Sequence, residues 1–234
     1  MISQIKKISS LENTKNKNPL RYNTNLPLSI EVVEKIGADR YKLILGKKEF
    51  TAKSKKELKP KEKYWGDLNH EKEGIVSLSN LVKKPAILST DELFLNEADL
   101  FLSFFKTETD TNKYRNFLIE KLYGEKNNRY RFLSLTYMIV ALKEGIFHLP
   151  LYINNKKILF QFSIKEEKNI LFYAGFENLG AIKGIISDHN TDIYTIFKKS
   201  HNMILKKFKN AKVFLHTNIN PLFNPANLLL DIKG

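Results

Sequence analysis

Residues 157–164 read Lys157-Ile158-Leu159-Phe160-Gln161-Phe162-Ser163-Ile164, and their apolar positions recur with a period of two. Ile158, Phe160, Phe162 and Ile164 fall on one side of an extended chain. Gln161, Ser163 and the following Lys165 fall on the other. This is a strand. A turn at Lys168-Asn169 returns the chain through residues 170–176, which send Phe172, Ala174 and Phe176 inward. Residues 179–187 and 191–197 read as a second hairpin about Asp188-His189-Asn190. A helix is expected over Lys198–Lys209, with His201, Ile204, Leu205 and Phe208 on one face, and residues 211–217 supply a returning strand. The fold class that follows is α+β, with residues 146–234 forming an antiparallel sheet with one helix. The apolar stretch Asn227–Ile232 of the tail is expected to add an edge strand.

The period changes upstream of this sheet. Residues 86–145 read as a central helical segment. Ser89-Thr90-Asp91-Glu92 resembles a helix start, followed by apolar residues at helical spacing to Phe105. A second helix is expected over Lys113–Tyr123 and a third over Tyr130–Glu144, the last apolar on most sides and hence buried by its neighbours. Residues 26–85 return to alternation. Ile30, Val32 and Ile36 share one face, as do Tyr41, Leu43 and Leu45, and then Phe50 and Ala52. Five short strands at this spacing suggest a small β-barrel-like module of the SH3 or OB type. Residues 1–25 are polar and turn-prone, and are expected to form a flexible arm, with a marginal helix or short interaction segment near Ile2–Leu11.

The chain carries 39 Lys plus Arg against 25 Asp plus Glu, a formal charge of +14 that favours acidic partners. With 42% hydrophobic residues, including 16 Phe and 10 Tyr, it has ample material for packed cores. Without cysteine, disulfides and thiol chemistry are excluded. The longest nearly apolar run, Phe132–Leu142, is about half the length of a membrane span. The basic start lacks an apolar core of signal-peptide length, so a cytoplasmic location is expected, with export by a type III route that needs no cleaved signal left open.

No residue pattern for catalysis, cofactor or metal emerges, and a non-enzymatic protein is expected. His70, His148, His189, His201 and His216 are scattered, and the cluster at 188–192 sits where a hairpin loop belongs. Two basic features carry the binding expectations. Lys53, Lys55, Lys56, Lys61 and Lys63 lead into Tyr64 and Trp65, a pattern of cations and rings suited to single-stranded nucleic acid. Lys198, Lys199, Lys206 and Lys207 line the outer face of the last helix and suit an acidic partner.

The C-terminal order of strands and basic helix resembles the C-terminal domain of the flagellar hook-length control protein family. The likeness is carried by Asn178-Leu179-Gly180-Ala181-Ile182, where a leucine–glycine pair opens an alternating strand, and by His148-Leu149-Pro150-Leu151-Tyr152-Ile153 ahead of the first long strand. Glu177-Asn178 stands where family members commonly have a proline before that pair. The resemblance implies a protein-binding role at the type III export gate, switching which substrates are accepted, with Leu179, Gly180, Ile182 and the helix lysines as the candidate surface. Family members also measure length with long flexible segments. A 25-residue arm spans less than about 90 Å extended, so only the partner-binding role carries over.

Overall fold

The computed structural model describes residues 8–9, 26–38, 40–46, 48–54, 57–70, 76–107, 110–125, 127–164 and 169–225. Most of residues 1–25, Lys55, Lys56, residues 165–168 and the tail 226–234, with the edge strand expected at Asn227–Ile232, lie outside these. Among the described residues the fold is α+β, with two sheets and four α-helices.

The N-terminal sheet contains β1 (Ile8–Ser9), β2 (Leu28–Lys35), β3 (Arg40–Leu45), β4 (Lys48–Lys53), β5 (Lys63–His70) and β6 (Val76–Lys83), in the order β1-β4-β3-β2-β5-β6. Ile8 and Ser9 pair antiparallel with Ala52 and Thr51, so this point of the arm is strand rather than helix. Ile30, Val32, Tyr41, Leu43, Leu45, Leu58, Tyr64 and Leu81 form the core that alternation anticipates. Ile36 departs from it: the register of β2 on β3 shifts between Val32 and Glu34, and Ile36 is left exposed. Among the described residues the expected barrel does not close, because β6 pairs only with β5 and stays an edge.

The C-terminal sheet runs in chain order through β7 (Phe147–Ile153), β8 (Lys156–Ile164), β9 (Ile170–Phe176), β10 (Gly180–Ile186) and β11 (Thr191–Thr195), all antiparallel. Helix α4 (Lys198–Lys207) then crosses over, and β12 (Lys212–Leu215) lies parallel to β11 at the outer edge. Both faces are covered. Helices α1 (Ala98–Thr107), α2 (Thr111–Gly124) and α3 (Arg129–Lys143) pack Phe101, Tyr114, Leu118, Leu135 and Met138 on Phe147, Leu149 and Leu151, with Phe160 and Phe162 against the same cluster. The opposite face of β8, which reads as polar, is the more buried one. Lys157, Leu159, Gln161 and Ser163 lie beneath other parts of the chain, including Trp65, Ile87, Leu88 and Phe94.

Helix α1 starts well after the expected Ser89 signal. Residues 86–89 form one 3₁₀ turn, and Leu95 then pairs with the edge of β7: its N–H donates to Pro150 and its carbonyl accepts from Tyr152. Backbone groups spent on a sheet cannot serve a helix. Helices α2 and α3 begin on side-chain caps, Asp110 accepting from the N–H groups of Asn112 and Lys113, and Asn128 from that of Arg131. Arg131 also pairs with Glu97 and Glu125, tying the three helices together. Helix α3 is not enclosed all round, since Tyr130 and Phe132 are exposed.

Candidate protein-binding surface

The loop from β9 into β10 and the start of α4 form one packed corner. Gly180 has φ +80°, and a Cβ there would lie 2.7 Å from the ring of Phe197. Only glycine permits both the backbone angle and the ring. Ser200 Oγ donates to the carbonyl of Leu179 at 2.7 Å, and Ile182 packs with Ile193 and Ile204. Gly180 and Ile182 are therefore buried, with Leu179 half-buried against the same cluster. These residues seat the helix from within, which corrects the expectation that they offer a contact surface.

The lysines divide. Lys198, Lys206 and Lys207 are exposed. Lys199 turns inward and pairs at 3.8 Å with Asp67, a buried carboxylate of β5 that also accepts from Asn80 Nδ2 at 3.0 Å. Helix α4 is thus fastened to the N-terminal sheet. Its outer surface carries more than charge. Leu205 and Phe208, expected on the buried face, are 43% and 57% exposed, and Phe214 and Leu215 of β12 are 42% and 54% exposed. Ile204 alone of the expected apolar face is fully covered, with His201 half-buried and bonded through Nε2 to the Val213 carbonyl. The sequence signal for the exposed residues is their interleaving with Lys206, Lys207, Lys209 and Lys212. Val213 packs with Ile204 on the helix-bearing face of the sheet, whereas Phe214 stacks on Tyr194 on the opposite face, so the exposed apolar residues of the helix surface are Leu205 and Phe208, set among lysines.

No protein-family profile, curated protein or solved structure matches this chain.

The other basic feature does not assemble as a base-stacking site. Tyr64 lies in the core of the N-terminal sheet, bonded through its hydroxyl to Glu62, and Trp65 points the opposite way into the C-terminal sheet. Trp65 Nε1 donates to the carbonyls of Phe176 and Glu177 at 2.9 and 3.2 Å. Neither ring offers a face to a base. Lys63 bonds to the Ser89 carbonyl and lies 3.7 Å from Glu31, Lys61 is exposed, and the side chain of Lys53 lies outside the described residues, as do Lys55 and Lys56.

Sequence reading missed the buried polar residues, all of which fasten elements together. Gln161 donates to His148 Nδ1 and to the Phe223 carbonyl, and its oxygen accepts from the N–H groups of Leu222 and Phe223. Burial pulls the His148 imidazole down to about 3, so it is neutral and Nδ1 is the acceptor. Lys157 pairs with Asp91 at 2.6 Å and donates to the Leu88 carbonyl, and this hydrogen bond holds the Asp91 carboxyl below its usual range. Lys84, drawn down to about 8 by burial, donates to Ser29 Oγ and the Glu177 carbonyl beside the Trp65 ring. Among the described residues, no group of three or more His, Asp or Glu is placed to hold a metal ion, and no helix is long and apolar enough to cross a membrane.

Proposed function

We propose that this chain is a non-enzymatic, cytoplasmic protein-interaction factor of flagellar or related type III export, and that it docks through the α4–β12 corner. The observation that carries the reading is the exposure of Leu205 and Phe208 among Lys206, Lys207 and Lys209 at the end of α4, beside β12 at the edge of the C-terminal sheet. The order of that domain, a hairpin sheet, a leucine–glycine turn, a basic helix and a returning strand, is the pattern that resembles the hook-length control family. Its partner carries an acidic surface with an apolar centre, complementary to a chain of charge +14.

A gene deletion in the source bacterium and a pull-down with the intact chain test this together. The reading expects impaired motility or secretion and recovery of an export component. Normal motility with no such component recovered would reject it. The nucleic-acid reading now rests on charge alone, since Tyr64 and Trp65 are buried. It expects a 260/280 nm absorbance ratio that falls on a high-salt wash, as released counterions weaken phosphate contacts.

A further inference from the structure

A concave surface adjoins the α4–β12 corner, with Leu215 in its lining. A cleft of about 850 Å³ separates the end of β6 from the segment after β12. One wall is residues 80–86; the other is Ile196, Lys198, residues 215–221 and Asn224. Among the described residues each wall begins on an edge strand, β6 being paired with β5 and β12 with β11. An edge strand presents main-chain donors and acceptors along its open side, and an extended segment can complete them.

The lining has one sign of charge. Among the described residues it contains Lys83, Lys84 and Lys198 and no Asp or Glu. Lys83, itself exposed, is held by Glu62 and Lys84 by Ser29, and Lys198 is the other exposed lysine of the lining. Lys198 is also the first residue of α4, whose first turn has neither an acidic residue nor a side-chain cap. A lysine there opposes the helix dipole, and local rules are broken in this way where function requires it. Together they concentrate positive potential at one point of the cleft. Asn218 and Asn220 also line it, and a carboxamide carries the donor and acceptor that a peptide unit needs. The lining holds no Phe, Tyr or Trp on which a base would stack.

We propose that this cleft binds an extended, acidic segment of a partner polypeptide, laid between the edges of β6 and β12 with a carboxylate against Lys198. The inference does not depend on the export reading.

The experiment uses the full chain and a fluorescein-labelled peptide of about ten residues, alternating glutamate and valine so that one edge is acidic and the backbone extended. A lysine–valine peptide and an oligothymidine of similar length are the comparisons. Anisotropy should show saturable binding of the acidic peptide alone. Lys198→Glu should weaken it by about tenfold or more. Lys48→Glu with Lys143→Glu should change it by no more than about twofold, because those exposed charges lie outside both the cleft and the α4 face. Lys198→Glu folds, as a carboxylate suits the first turn of a helix, and a thermal melt verifies this. Bound peptide should also slow amide exchange over residues 80–83 and 215–218. The proposal is overturned by any of three results: no saturable binding of the acidic peptide, affinity unchanged in Lys198→Glu, or preference for oligothymidine.

Discussion

Gln161 is a polar residue in a strand, and no solvent reaches it. Its amide is bonded on both ends to residues that cover the sheet, so it fixes the segment around Phe223 against β8. Replacing it by Ala leaves the Phe223 carbonyl and two N–H groups without their partner. That change should cost about 3 kcal/mol in urea unfolding and open residues 217–225 to limited proteolysis. Its neighbour His148 sets an acid limit. The folded chain binds fewer protons there than the unfolded chain between about pH 3 and about pH 6.5, so stability falls on acidification through that window, by about 1.4 kcal/mol per unit. Denaturation midpoints measured from pH 7 to pH 4 check this, and His148→Phe should flatten the slope. At Gly180 the left-handed backbone and the Phe197 ring act together, and Gly180→Ala should destabilise by about 3 kcal/mol.

At the scale of elements, the sequence was most legible where one face of a strand meets one core. Tyr41, Leu43 and Leu45 are buried as their spacing indicates, and β8 to β11 form the hairpins that their turns announce. Legibility failed where a second layer intervened. The polar face of β8 looks solvated until Trp65, some hundred residues earlier in the chain, and Phe223, some sixty later, are known to cover the sheet. The start of α1 was misread because a cap-like run at Ser89 precedes Leu95, whose backbone is taken by β7. The candidate surface was legible in its lysines but not in its apolar half. Helical spacing alone places Leu205 and Phe208 inward, and α4 ends at Lys207, before Phe208 can follow the buried face. Lys198 provides a test at this scale. In thermal melts Lys198→Glu should raise the stability of α4 by about 0.5 kcal/mol, since it replaces a repelled charge at the helix start.

The whole molecule is held together where the two sheets meet. Trp65, Lys84 and the Asp67–Lys199 pair all cross that boundary. Trp65→Ala removes the largest fully buried side chain and should cost about 4 kcal/mol, with unfolding that separates into two transitions in calorimetry. Lys84 adds a pH signature. Its folded value near 8 lies below that of the unfolded chain, which therefore binds more protons between about pH 8 and pH 10.5. Stability should rise across that window and cease to do so in Lys84→Met.

Fastening the sheets together leaves Leu205 and Phe208 of the α4–β12 corner on the outside, and the chain is proposed to dock through them. This docking is tested most directly by placing a photo-crosslinking amino acid at position 208 in the living bacterium and identifying the adduct by mass spectrometry. The expected result is a flagellar or type III export component, lost when Lys206 and Lys207 are changed to Glu. Illumination that yields no such adduct from a folded, expressed chain would contradict the account.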